Sequence, residues 1–397
     1  MHVATQPTRK RSIKRKLMYA LFGIVLLVLL VATLSALVNT ISPKHSRVVE
    51  TLSPQEKSLI AESLQLKRTV GDQVWPGFGQ TAIPLVIYNE KHSFWVGEDT
   101  APSGWEVVPG DSFFGQSYFS GRTAKNQAFA VKIGERWAGS MATKEWFQIS
   151  FASRLREQLP GPLRPVFPYP LVLRLLGVRS SDKYISAVLH ETFHAYQATV
   201  SPARFELAQK ANAAERAYPW DDPDIRRAWR SELQLLARAL NAGSNSEAAD
   251  LAREFVEARR QRRQNPAMNP ASIDYERQVE WLEGLGKYAE LKVWREGAIS
   301  RQYGAYRPFP ELLSDHEFSN YGTFSRAWSG EISTLRNQDA SRSDTRFYYS
   351  GMAQAFLLDR LVPDWKSRVR LEDLGMDEVL AQALEPWGRS LSAGRKQ

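Results

Sequence analysis

Residues 17–38 form a run of 22 without one charged side chain, broken only by Gly23, Thr33, Ser35 and a few alanines. About 20 apolar residues cross the hydrocarbon core of a bilayer, so this run predicts a transmembrane helix. Ahead of it stand Arg9, Lys10, Arg11, Lys14, Arg15 and Lys16, with no acidic residue among them. A basic flank of this kind is retained in the cytoplasm. The expectation is a single-pass membrane protein: residues 1–16 a basic cytoplasmic tail, 17–38 a signal-anchor helix in the lipid bilayer, and the remainder extracytoplasmic. A cleaved signal peptide is the competing expectation. Against it, the run exceeds the usual apolar core of about 7–15 residues and no clean Ala-x-Ala site follows.

The same six residues explain the charge of the chain. Its formal net charge is +9, but setting them aside leaves 46 of the 52 basic residues against 43 acidic ones. A near-neutral remainder argues against a phosphate-binding surface, so no nucleic-acid partner is expected. There is no cysteine, which excludes disulfides, thiolate metal ligands and a thiol nucleophile. With 397 residues, 43% of them hydrophobic, the chain can bury a large core.

After the apolar run, residues 39–73 read as a juxtamembrane connector leading into a short helix over about 54–67. Residues 74–146 change to strand texture, with candidate strands at 83–88, 93–97, 104–108, 127–133 and 137–143, each bounded by turn residues. Asn89-Glu90-Lys91-His92 reads as a hairpin turn. The many aromatics here are expected on sheet faces and in the core rather than in a carbohydrate-binding strip. A proline-rich passage from Leu159 to Pro170 breaks regular structure. Beyond Val200 the sequence turns helical. Ile225, Trp229, Leu233, Leu236 and Leu240 trace one face of a helix opened by Asp222-Pro223. Ser244 and Glu247 form a capping box for the next helix. That helix ends in Arg259, Arg260, Arg262 and Arg263, which read as a solvated terminus complementing the helix dipole. A last helix and a short polar tail are expected over 371–397.

The chemistry centres on Val188-Leu189-His190-Glu191-Thr192-Phe193-His194. Ile185, Val188, Leu189, Thr192 and Tyr196 recur at helical spacing. Positions i and i+4 share a helix face, so His190 and His194 can present two imidazoles to one metal ion. Glu191 can reach a water held at that ion. This is the arrangement of a zinc peptidase. Only six histidines occur in the chain, and two fall at this spacing. A catalytic zinc site needs a third protein ligand. Glu276, Glu280 and Glu283 lie along one helical stripe and any of them could supply it. Gly284 and Gly286, set in an otherwise good helix, predict close approach to another element.

These motifs resemble the gluzincin metallopeptidases, and among them the aminopeptidase N family. That family takes its third ligand from W-L-N-E-G-F-A-x-Y. Here Trp281-Leu282-Glu283-Gly284-Leu285-Gly286-Lys287-Tyr288 is one residue shorter before the glutamate and in register after it. The resemblance implies Zn2+ held by His190, His194 and Glu283. It also implies Tyr348, in Tyr348-Tyr349-Ser350-Gly351, as the hydroxyl that steadies the oxyanion, with Tyr349 as the alternative. Two departures limit it. Residues 195–282 separate the second histidine from Glu283 by far more than the family's short helix and loop. The family's G-x-M-E-N strand is echoed by Gly139-Ser140-Met141-Ala142 without its glutamate, so aminopeptidase specificity does not carry over.

The expected fold is α+β: an N-terminal transmembrane anchor, a β-rich region, then a mainly helical zincin-like metallopeptidase domain over 147–397. Residues 200–270 or so form a helical insertion, a lid or a partner-docking surface. The expected activity is zinc-dependent hydrolysis of a peptide or protein substrate. Glu191 would be the general base and Tyr348 the oxyanion donor, with Glu276, Glu280 and Glu290 as candidates to orient the histidines. The alternative is a non-catalytic, membrane-tethered binding or scaffold protein with a peptidase-like fold. The presence of Glu191 speaks against it.

Overall fold

The computed structural model describes residues 8–122, 127–302, 307–371 and 374–394. Residues 1–7 of the basic tail and the last three of the C-terminal tail lie outside the described residues. The chain is mixed α and β and mainly helical, with one six-stranded sheet among the described residues. Helix α1 spans Thr8–Ile41. Within its stretch Arg15–Ile41 an 18-residue window reaches a mean hydropathy of 2.9, and the stretch is long and apolar enough to cross a membrane.

Helix α2 (Pro54–Val74) starts on Ser53, whose side chain accepts a hydrogen bond from the Glu56 amide. It is longer than the 54–67 expected from sequence and is a core helix, with Leu59, Ile60, Leu66, Val70 and Val74 buried. The chain then reverses tightly. A Cβ on Gly71 would lie 2.7 Å from Gly79 Cα, a distance real side chains do not reach.

Six strands come next: β1 (Leu85–Tyr88), β2 (Ser93–Val96), β3 (Glu106–Val107), β4 (Phe119–Gly121), β5 (Phe129–Ile133) and β6 (Arg136–Ala142). They are ordered β3-β4-β2-β1-β6-β5. Only β1 and β6 run parallel, with Ile87 opposite Met141. The β1–β2 turn is closed by the Asn89 side chain, which accepts from the Lys91 and His92 amides. Alternation along the strands sorts the side chains. Leu85, Ile87, Phe94 and Met141 join the main core, whereas Val86, Trp95, Phe119 and Ala138 meet Trp105 on the opposite face. Strand β4, too short for a clear period-two pattern, was not expected from sequence.

The rest is helical: α3 (Lys144–Gln158), α4 (Tyr169–Leu175) starting at the end of the proline-rich passage, α5 (Ser181–Val200), α6 (Pro202–Ala211), α7 (Pro223–Leu240), α8 (Asn245–Arg263) and α9 (Pro270–Val279). A π turn (Glu280–Gly284) leads into α10 (Leu285–Gln302). Helices α11 (Phe324–Arg336), α12 (Thr345–Leu361), α13 (Trp365–Leu371) and α14 (Met376–Gly394) complete it.

The caps of α7 and α8 form as their sequences dictate. Asp222 accepts from the Asp224 and Ile225 amides, and Ser244 accepts from the Glu247 amide. The placement of these two helices differs from the expected lid or docking surface. Ile225, Trp229, Leu233, Leu236 and Phe255 are wholly buried in the same core as α5. The arginines closing α8 also differ from expectation. Arg260 is exposed, but Arg259 and Arg262 are buried and ion-paired with Glu232, Glu276 and Glu280. A desolvated guanidinium needs carboxylate partners, and the interior supplies them.

Candidate metal centre

Helix α5 carries the H-E-x-x-H segment through the middle of the molecule. Its Ser180 cap accepts from the Lys183 amide. Ile185, Val188, Leu189 and Ala195 bury one side. Strand β6 presses closely on another, since a Cβ on Gly139 would lie 2.8 Å from Thr192 Cα. This fixes α5 against the sheet. His190 and His194, one turn apart, are both buried, with ring centroids 4.7 Å apart.

The third carboxylate arrives by way of the π turn. In an unbroken α-helix Glu276, Glu280 and Glu283 would share a face. The π turn inserts an extra residue and rotates the helix beyond it. Glu276 and Glu280 consequently point into the arginine cluster: Arg259 grips Glu280 with two bonds of 2.8 Å, and Arg262 reaches Glu276 at 2.5 Å. Glu283 points the other way. Its Oε2 lies 3.2 Å from His194 Nε2 and 3.5 Å from His190 Nε2. The ligand atoms of His190, His194 and Glu283 all fall within 4.8 Å of one another, and this group could hold a metal ion.

The far nitrogen of each ring is engaged as well. His190 Nδ1 donates to Glu290 Oε2 at 3.2 Å. His194 Nδ1 donates to Gln197 Oε1 at 2.9 Å, and Gln197 in turn donates to the Trp281 carbonyl. These bonds aim both Nε2 atoms at Glu283. Of the three carboxylates weighed for this orienting role, Glu290 fills it. Glu276 and Glu280 do not, because the arginines hold them. Gln197 has no sequence motif to announce it and emerges only from its place one turn beyond His194.

Glycine makes the approach of α10 possible. A Cβ on Gly286 would lie 2.8 Å from His190 Nε2 and 2.9 Å from His194 Cε1. A Cβ on Gly284 would lie 2.6 Å from Gly351 Cα, so α12 is seated directly on the π turn. This contact brings Tyr348 in. Its ring stacks on His190 at 6.3 Å with 22° between planes, and its phenol lies within the field of the Glu283 carboxylate. The neighbouring Tyr349 faces Lys287 and Glu331 instead. Phe129, from the edge strand β5, covers His194 at 4.8 Å.

The charge around the imidazoles is strongly negative. Burial disfavours a charged His190, but hydrogen bonds to Glu283 and Glu290 outweigh this and raise the ring to about 10. Burial likewise opposes ionisation of Glu283, yet the charge of His194 and hydrogen bonds from both histidines hold it well below the usual carboxylate range. Lys287, paired with Glu290 at 2.8 Å, helps hold that carboxyl low against its burial. Glu191 is displaced upward, first by burial and further by Glu283 and Glu290, with the two histidines opposing. Burial and the charges of Glu283 and Asp344 push the Tyr348 phenol far above its ordinary range, so it stays a donor. Asp344, one turn before it, is pushed up to about 6 by burial and then by Glu283 and Glu215. No motif pointed to Asp344.

Comparison of the chain with models of known families, with curated proteins and with solved structures returns no match.

Proposed function

We propose that this chain is a membrane-anchored zinc peptidase whose metal is held by His190, His194 and Glu283. The observation that carries the proposal is the convergence of two imidazole Nε2 atoms and one carboxylate, with both Nδ1 atoms tied back to acceptors. Histidines that ligate zinc are oriented in this way. The spacing fits the ion. Zinc bonds of about 2.0–2.1 Å in a tetrahedral site set ligand atoms about 3.3–3.4 Å apart, and Glu283 Oε2 stands 3.2 and 3.5 Å from the two nitrogens. Two histidines and a glutamate are an established catalytic set, leaving one position for water.

Zinc bound there would supply Lewis acidity, activating a water and polarising a carbonyl. The chain's own residues provide the rest. Glu191 lies beside both ligand histidines and near Tyr348. As general base it takes a proton from the attacking water and returns it to the departing amine. Its raised affinity for protons suits that exchange. Tyr348 keeps its phenolic proton and donates a hydrogen bond to the substrate oxygen as negative charge develops there. A peptide is the favoured substrate because β5, the edge of the sheet, runs past His194 through Phe129. An extended peptide can add to such an edge through main-chain hydrogen bonds. Helix α1 is the anchor in this reading. Its basic flank orients it with the N-terminus in the cytoplasm and the peptidase on the exported side.

The test is metal content of the detergent-solubilised full chain, wild type beside His194→Ala and Glu283→Ala. Near-stoichiometric zinc that both substitutions abolish is expected. Folded wild-type chain that takes up none overturns the proposal. Against a peptide library, Glu191→Gln should retain zinc and lose activity by about 10²–10⁴-fold. Tyr348→Phe should retain zinc and lower kcat by about 10²–10³-fold with little change in KM.

A further inference from the structure

Residues 146–180, between the sheet and α5, differ in chemistry from the rest of the domain. They carry Arg154, Arg156, Arg164, Arg174 and Arg179 against the single acid Glu157. This excess of four alone exceeds the excess of three carried by the whole chain beyond residue 16. The apolar surface is concentrated in the same place. Outside α1, ten large hydrophobic side chains are exposed among the described residues, and four of them are Leu163, Leu171, Leu175 and Leu176. Helix α4 has two faces. Tyr169 and Leu173 are buried, whereas Leu171 and Leu175, also one turn apart, face outward and Leu175 is 76% exposed.

The position of this surface points to what covers it. Asn39 directly follows the apolar run of α1 and is buried. Its Nδ2 donates to the carbonyls of Pro165 and Phe167, both at 2.8 Å. The loop entering α4 is thus fastened to the end of the helix that crosses the bilayer. Leu34 and Leu37 stay exposed beside it on α1. The leucines of 163–176 and the apolar end of α1 therefore meet at one level.

We propose that residues 159–178 form a second, in-plane membrane element, resting on the reading of α1 as a span. Its leucines enter the acyl region of the leaflet from which α1 emerges, and its two arginines, Arg164 and Arg174, meet anionic headgroups with Arg154 and Arg156 of α3 beside them in sequence. Helices with one apolar and one basic side bind bilayer surfaces in this way. The consequence reaches the metal centre. Helix α5 begins at Ser181, just beyond this element, and His190 lies nine residues on, about 14 Å along the axis. Two attachments, α1 and α4, would fix the height of the centre above the membrane.

The absence of cysteine makes the test direct. Leu171→Cys and Leu175→Cys in the full chain are labelled with an environment-sensitive fluorophore and reconstituted into phosphatidylcholine–phosphatidylglycerol vesicles. Lipids brominated along their acyl chains serve as quenchers. Leu26→Cys reports the span, and Arg260→Cys, on an exposed side chain of α8, reports the aqueous side. Blue-shifted emission and several-fold stronger quenching at 171 and 175 than at 260 support the in-plane element. Labels at 171 and 175 that behave like the one at 260 overturn it, whatever Leu26→Cys shows. An unquenched label at 26 overturns the span itself.

Discussion

Gly286 is the residue on which the candidate metal centre is most sharply constrained. Any side chain there would occupy the space where His190 and His194 turn toward Glu283. Gly286→Ala should leave α10 helical, since alanine favours helix, yet spread the imidazoles and abolish zinc binding. Retained stoichiometric zinc in this variant would show that the three ligands do not act together. Glu290 offers the complementary test. Glu290→Gln keeps an acceptor for His190 Nδ1 but removes the charge and the partner of Lys287. Metal affinity, measured by competition with a chromophoric chelator, should fall about 10–100-fold, the usual cost of losing an outer-shell partner.

At the scale of elements, the π turn and the α7–α8 pair belong to one device. Arg259 and Arg262 from α8 hold Glu280 and Glu276, Glu232 of α7 holds both arginines, and Ser350 of α12 donates to Glu280. These contacts clamp the turn that directs Glu283 toward the histidines. The two helices thus brace Glu283 from behind. The clamp also sets the acid response. Burial alone would raise the Glu276 carboxyl, but Arg262 and Arg263 outweigh it and hold it at about 2, below its ordinary 4.5. Its stabilisation is therefore complete above pH 4.5. Between there and about pH 2 the unfolded chain takes up a proton that the folded chain refuses, and the stabilisation is lost. Thermal unfolding followed from pH 6 to pH 2.5 should show Tm falling below pH 4.5. Glu276→Gln should be less stable by about 3–5 kcal/mol at neutral pH, because it strands buried arginine charge, and its Tm should decline less steeply with acid. Equal slopes would remove Glu276 from the account.

For the whole molecule, the prediction concerns α1. Its candidate span Arg15–Ile41 is 27 residues, and the uncharged run of 22 within it makes about 33 Å of helix against a hydrocarbon core of about 30 Å. The full chain should stay with membranes through an alkaline wash, and its intact mass should be that of the whole 45.0 kDa chain. A species shortened by roughly 40 residues, released by the wash, would identify the helix as a cleaved leader, though longer than the about 15–30 residues usual for one.

What could be read from the sequence is what neighbouring residues decide among themselves. The apolar run needs only its composition to be helical and long enough for a bilayer. The helix through His190 and His194, the caps at Asp222 and Ser244 and the Asn89 turn each depend on residues a few positions apart. What tertiary structure decided is which partner each side chain meets. Glu276, Glu280 and Glu283 are equivalent along the chain; only the π turn, pressed by Gly351 and held by arginines of another helix, sends one toward the histidines and two away. Arg259 and Arg262 of α8, read as part of a solvated terminus, are buried because acids from α7, α9 and the π turn arrive around them. Spacing along a helix specifies a face. What lies against that face depends on packing between segments far apart in the chain.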